Sequence, residues 1–251
     1  MSAARLLILG GTAEARALAQ ALTDADVPVV SSLAGRVARP RLPVGEVRIG
    51  GFGGPGALAR WLGDQDIGAV IDATHPFAER ISASAVAATA DAGVPLLRLE
   101  RPGWEASGED RWHWVDDLPA AATAIRELGA RRVLLTSGRQ GLAAFAQDDV
   151  TWFLIRCVDP PDVALPARHE VLLDRGPYTL EGELALIDAH DIQLIVTKDS
   201  GGPLTEAKLA AARARGLPVV VVRRPPRQDV PTVRTVDEAV AWATTVASRA
   251  A

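Results

Sequence analysis

The sequence predicts an α/β protein made of two similar Rossmann-like domains, each a doubly wound, mainly parallel sheet, with a cleft between them. Three observations predict it. Short, continuously apolar runs alternate with amphipathic stretches, as expected of parallel strands covered by helices on both faces. The alternation runs through about the first hundred residues and then restarts. Short motifs recur at nearly one offset. Gly93-Val94-Pro95-Leu96-Leu97 and Gly216-Leu217-Pro218-Val219-Val220 stand 123 residues apart, Ala73-Thr74-His75 and Thr197-Lys198-Asp199 stand 124 apart, and Gly10-Gly11 and Ser137-Gly138 stand 127 apart. Parallel strands resemble one another, so one match means little. Three at nearly one offset favour two copies of one unit.

The elements follow in order. Residues 5–9 form a buried strand, and an alanine-rich amphipathic helix over 12–23 follows the glycine pair. Residues 27–32 and 46–49 are strands, 55–62 a helix, 69–73 a strand, 78–92 a helix and 95–99 the last strand of this half. In the second half the strands are 132–136, 151–156, 169–173, 192–197 and 218–222, and the helices 119–128, 180–190, 205–215 and 236–248. Residues 103–114, rich in glycine, tryptophan and charge, read as the crossover, which puts the domains at 1–108 and 109–251. A length of 251 residues suits two small domains.

Composition excludes several classes. With 48% hydrophobic and 23% charged residues the chain is no disordered segment. A net charge of −4 leaves no basic excess for a nucleic acid backbone. No apolar run approaches the roughly 18–20 residues of a membrane span. The apolar run near the N-terminus is too short for a signal-peptide core, so the expected location is the cytoplasm. The single cysteine, Cys157, and four scattered histidines offer no metal-ligand spacing. No P-loop or G-x-S-x-G elbow is present. Of the 27 basic residues only Lys198 and Lys208 are lysine, so one arginine carries little information and a lysine slightly more.

Ligands of doubly wound sheets bind outside the carboxyl ends of the strands. Gly10, Gly11 and Thr12 lie at such an end and open a helix, which suits a phosphate; equally, Thr12 could simply cap the helix. Ser31-Ser32-Leu33-Ala34-Gly35-Arg36 follows the second strand and holds no Asp or Glu. Should a dinucleotide bind, Ser32 and Arg36 suit the 2′-phosphate of NADP(H). His75 directly follows a buried strand and is restrained by Pro76, so it is expected in the cleft. Thr136-Ser137-Gly138-Arg139 and Thr197-Lys198-Asp199-Ser200-Gly201 occupy the matching ends of the second half. They could hold phosphate or carboxylate, although Lys198 could also merely pair with Asp199.

These residues carry a family resemblance. Leu9-Gly10-Gly11-Thr12-Ala13-Glu14-Ala15-Arg16, Ser32-Leu33-Ala34-Gly35-Arg36, Gly50-Gly51-Phe52-Gly53-Gly54 and Asp72-Ala73-Thr74-His75-Pro76-Phe77 resemble the precorrin-6A reductase family. So do Thr136-Ser137-Gly138-Arg139-Gln140, Asp174-Arg175-Gly176-Pro177-Tyr178 and Lys198-Asp199-Ser200-Gly201-Gly202. The resemblance runs from about residue 5 to residue 249. It implies an NADPH-dependent reductase of cobalamin biosynthesis that reduces one macrocycle C=C bond, converting precorrin-6A, or its cobalt analogue, to the 6B form. On this reading Gly10, Gly11 and Thr12 hold the pyrophosphate, and Ser32 and Arg36 meet the adenosine end. Thr74 and His75 sit near the nicotinamide or substrate. Ser137, Gly138, Arg139, Lys198, Ser200 and Gly201 grip the polycarboxylate tetrapyrrole or the cofactor. His75, Tyr178 or water gives the proton. The alternatives are a non-redox, uroporphyrinogen-synthase-like enzyme on an anionic tetrapyrrole, or a hinge-type small-molecule binding protein.

Overall fold

The computed structural model describes residues 5–35 and 38–249. The chain divides into two compact units, Met1–Pro102 with Pro225–Ala251, and Gly103–Arg224. The first unit contains β1 (Arg5–Leu9), α1 (Ala13–Asp24), β2 (Val29–Leu33), β3 (Glu46–Ile49), α2 (Pro55–Asp64), β4 (Ile67–Asp72), α3 (Glu79–Ala92) and β5 (Leu96–Leu99). The second contains β6 (Arg111–Val115), α4 (Leu118–Glu127), β7 (Arg132–Leu135), β8 (Trp152–Cys157), β9 (His169–Leu173), α5 (Leu180–Ala189), β10 (Leu194–Lys198), α6 (Ala207–Ala214) and β11 (Pro218–Val222). The chain then returns to the first unit with β12 (Thr232–Val233) and α7 (Val236–Arg249).

Each unit holds one six-stranded sheet, ordered β12-β5-β4-β1-β2-β3 and β6-β11-β10-β7-β8-β9, and its recorded strand pairings are all parallel. The two orders superimpose strand for strand, so the internal repeat is real. Its boundary differs from the expected one. Tandem copies would each keep their own last strand and helix. Here β6 and α4, which follow the first copy in sequence, complete the second sheet, and β12 and α7, which follow the second copy, complete the first. The expected boundaries at 108 and 109 therefore give way to two crossings, at Pro102 and Arg224. The packing reason lies in α7. Ala239 and Ala243 are fully buried against Leu6, Ile8, Leu18, Leu22, Leu97 and Leu99 in one core of the first unit.

Local chemistry explains the elements. Helix α1 buries Ala15, Leu18, Ala19 and Leu22, one helical stripe. Its first turn is capped by Thr12, whose Oγ1 accepts from the Ala15 N–H at 3.0 Å. Successive residues of β1 face opposite cores, Leu6 and Ile8 toward α1 and α7, Leu7 and Leu9 toward Leu58, Leu62, Val70 and Ala85, so the strand is apolar throughout. Gly93 and Gly216 end α3 and α6 at φ of +65° and +63°, the left-handed region that favours glycine. They stand at the same offset that revealed the repeat.

Candidate functional site

In the first sheet β1 has β2 on one side and β4 on the other, and the connection leaving β3 reverses direction to reach β4. The carboxyl ends of β1 and β4 thus flank the switch point where doubly wound sheets bind ligands. Thr12, Glu14, Ala73, Thr74, Leu99, Glu100 and Arg101 line a small cleft there.

Gly10 hangs on the end of β2 through its N–H to the Ser32 carbonyl, 2.9 Å. Gly11 has φ +117°, and a Cβ built on it would meet nothing within 4 Å. The turn therefore presents open backbone in front of the α1 N-terminus, the geometry that accepts a pyrophosphate. Thr12 is a cap and a tie at once, because Oγ1 also donates to the Ala73 carbonyl at 2.8 Å. Its hydroxyl proton is spent inside the protein, so any ligand contact by that proton is excluded and the backbone N–H remains. Glu14, in the first turn of α1, pairs with Arg101 at 2.6 Å, which neutralises a carboxylate that would oppose an anion there.

At the end of β4, Asp72 is 2% exposed. Its Oδ1 accepts from the Thr74 hydroxyl at 2.6 Å and the Thr74 N–H at 3.2 Å. Its Oδ2 faces Arg98 Nε at 4.0 Å. Thr74 is thus locked by a buried carboxylate. His75 is half-buried, and its Nδ1 accepts from the Phe77 N–H at 3.2 Å, which leaves Nε2 to carry the proton of the neutral ring. Arg227 fastens this edge to the returning chain, donating to Glu100 at 3.0 Å and to Ser82 Oγ at 2.6 Å.

At the ends of β2 and β3, Ser32 is buried and lies in register with Arg48. Arg36 lies outside the described residues. The Arg48 guanidinium donates to the carbonyls of Gly50 (2.5 Å) and Gly51 (2.8 Å) and stacks 3.8 Å from the Phe52 ring centroid. Burial holds its pKa below the usual arginine value.

The second unit repeats the plan around β7 and β10. Ser137 is 6% exposed, and its Oγ has no hydrogen-bond partner among the described residues. Gly138 and Gly201 have φ of +74° and +64°. Asp199 is tied to two partners that the sequence reading did not name. Its carboxylate faces Arg224 Nε at 3.2 Å and accepts from the Trp104 N–H at 3.0 Å. The loop Lys198–Thr205 is further held by the Trp104 indole N–H on the Gly202 carbonyl, 3.2 Å, and by the buried Lys208 ammonium on the Thr205 carbonyl. Tyr178 lies beneath the Arg156 guanidinium, 3.9 Å from its ring centroid, and Arg156 pairs with the buried Glu183 at 2.7 Å. Burial raises the Tyr178 pKa, opposed by Arg156, so the phenol stays protonated at neutral pH and can donate a hydrogen bond.

Gly10, Gly11, Thr12, Ser32, Thr74 and His75 thus lie at the carboxyl edge of the first sheet, and Ser137, Gly138, Arg139, Lys198, Ser200 and Gly201 at that of the second. Arg48 and Arg227 escaped the sequence reading, and Asp72 and Arg101 were given no role by it. In so arginine-rich a chain an arginine carries no signal, and Asp72 reads as the end of a strand.

The family model described as Precorrin-6x reductase CbiJ/CobK matches residues 5–244. A precorrin-6A reductase of Rhodococcus erythropolis is 52% identical over 249 residues, covering 98% of this chain and 99% of its own. One of Mycobacterium tuberculosis is 49% identical over 247 residues, again covering 98% and 99%. A solved structure, CobK precorrin-6A reductase, superimposes with a TM-score of 0.91 at 41% identity and covers 97% of both chains. With the sheet orders, the two glycine turns and these matches running almost from end to end, the chain belongs to the precorrin-6x reductase family.

Proposed function

We propose that this chain reduces one C=C bond of precorrin-6A with NADPH to give precorrin-6B, a step of cobalamin biosynthesis. The family match over nearly the whole chain carries the reading. The open glycine turn at the β1–β4 switch point fits the cofactor. NADPH, when bound, supplies the hydride, and solvent or a side chain supplies the proton.

The chain's own residues bind, orient and protonate. The backbone N–H groups of Gly11 and Thr12 take the pyrophosphate, aided by the α1 dipole. Ser32, with Arg36 on the following loop, takes the adenosine end. Thr74, fixed by Asp72, and His75 border the reacting end. His75, in its imidazolium form, is the proton donor we favour, because it follows the end of β4 that borders the reacting end. Tyr178 is the second candidate, a neutral phenol held under Arg156. Arg139 and Lys198 pair with carboxylate arms of the tetrapyrrole, and Ser137, Gly138, Ser200 and Gly201 donate hydrogen bonds to them. No helix among the described residues is long and apolar enough to cross a membrane. A cytoplasmic location suits a pathway drawing on soluble NADPH.

The test is NADPH absorbance with precorrin-6A generated enzymatically, and the mass of the product. Loss of absorbance with a product two hydrogens heavier supports the reading. Tight tetrapyrrole binding with no NADPH oxidation would instead indicate a non-redox enzyme or a binding protein. The cobalt analogue, run in parallel, should turn over more slowly than the metal-free substrate, since the relatives described above are named for precorrin-6A.

A further inference from the structure

The carboxyl edge of β2 and β3 carries an arginine with an unusual set of partners. Arg5, Arg98, Arg101 and Arg227, in the same unit, each lie within 4.0 Å of a carboxylate. Among the described residues no carboxylate pairs with Arg48. Its contacts are the Gly50 and Gly51 carbonyls, the Ser32 hydroxyl at 3.5 Å, and the Phe52 and Trp61 rings at 3.8 and 5.8 Å. A half-buried cation with dipoles but no counter-charge is incompletely compensated. Burial already disfavours its charged form.

The way the guanidinium is held matters as much. It has five N–H groups. The two loop carbonyls take its Nη1 and Nη2 end, and Ser32 a further Nη1 hydrogen. What remains without a partner among the described residues is Nε–H and the second Nη2–H, the side edge that takes a phosphate through two parallel hydrogen bonds. The Phe52 ring and the glycine carbonyls fix the plane in advance, so little side-chain entropy is lost on binding. The position is also informative. Arg48 lies in register with Ser32 on β2, the strand whose end meets the adenosine ribose in dinucleotide folds. Glu46, on the same strand, is engaged with Arg5. Ser31 to Gly35 contributes no carboxylate that would grip the free 2′-hydroxyl of NADH.

We propose that Arg48 selects NADPH over NADH, its guanidinium edge pairing with the 2′-phosphate of the adenosine ribose beside Ser32. The proposal rests on the cofactor reading above. It assigns the discrimination to a strand residue stacked on an aromatic ring rather than to the Arg36 loop alone.

The test is calorimetric binding of NADP⁺, NAD⁺, adenosine 2′,5′-bisphosphate and 5′-AMP to the full chain and to Arg48→Ala, Arg48→Lys and Arg36→Ala. Loss of a charge-assisted pair should weaken NADP⁺ and the bisphosphate by roughly tenfold to a hundredfold in Arg48→Ala, with NAD⁺ and 5′-AMP changed less than about threefold. Arg48→Lys, which keeps the charge and loses the fork, should recover part of the loss. Equal weakening of all four ligands would mean that Arg48 only shapes the glycine loop, and overturns the proposal. Unchanged NADP⁺ affinity in Arg48→Ala, with the preference lost in Arg36→Ala, overturns it too. Wild-type protein that binds none of the four would overturn the cofactor reading itself, a separate result.

Discussion

Replacing Lys208 by methionine removes a buried positive charge while keeping most of the side chain's volume. The ammonium lies 4.5 Å from the Trp104 ring centroid and is 3% exposed. Burial, and then the Arg156 charge, push its pKa down to about 7, with Glu183 and Glu206 pulling the other way. A lysine in the unfolded chain titrates near 10.4. Between those two values the unfolded chain holds more of this proton than the folded one, so stability rises with pH across the window. Below about pH 7 both states hold the proton and the full penalty applies; above the unfolded value it vanishes. Each pH unit inside the window is worth about 1.4 kcal/mol. From pH 7.5 to pH 9 the wild-type protein should gain about 2 kcal/mol from this group, a gain Lys208→Met cannot make. Urea unfolding of both proteins at the two pH values measures it, with Trp fluorescence as the signal. The difference in unfolding free energy should move by about 2 kcal/mol toward the wild type at the higher pH. A difference independent of pH would refute the reasoning, because the ammonium would then be as well compensated in the fold as in water.

Glu183→Gln leaves Arg156 buried without its counter-charge and should cost about 3–5 kcal/mol in urea unfolding. Asp188→Asn, in the exposed Arg215 pair, should leave the urea midpoint nearly unchanged in the same assay. Gly11→Ala places a side chain at φ +117° in the turn proposed above to take the pyrophosphate. It should lower NADP⁺ affinity by more than about tenfold, measured by calorimetry, with a stability loss of about 1–3 kcal/mol. Deleting residues 225–251 strips β12 and α7 from the first sheet and exposes the core that Ala239 and Ala243 close. The first unit should then lose amide-exchange protection while the strands of the second keep theirs.

The regular elements were legible because their causes are local. The stripe Ala15, Leu18, Ala19, Leu22 is a helix wherever it packs, and Thr12 before it is a cap by side-chain chemistry. The apolar strands β1, β7, β8 and β11 begin and end within a residue of their expected bounds. The edge strand β6 was hidden among Trp112, His113 and Trp114, whose alternation of size reads as a packing or crossover segment. β12 is two residues long and pairs only because β5 is there to receive it. In the site, Gly10-Gly11 and Ser137-Gly138 announced themselves because glycine is required for what the backbone does. Arg48 and Asp72 did not, since their meaning comes from the ring, carbonyls and guanidinium around them.

Periodicity, glycine placement and internal repetition in the sequence alone determined the fold class, the duplicated plan and the strand ends that carry the candidate site. The tertiary structure decided which copy each terminal strand and helix completes, and which charges are compensated. Both depend on partners distant along the chain: Thr232 meets Arg98 across a whole intervening unit, and Arg48 is set apart from its neighbours by the carboxylates that pair with them and not with it. Local propensity sees neither, because pairing between remote segments is settled only when the chain has closed on itself.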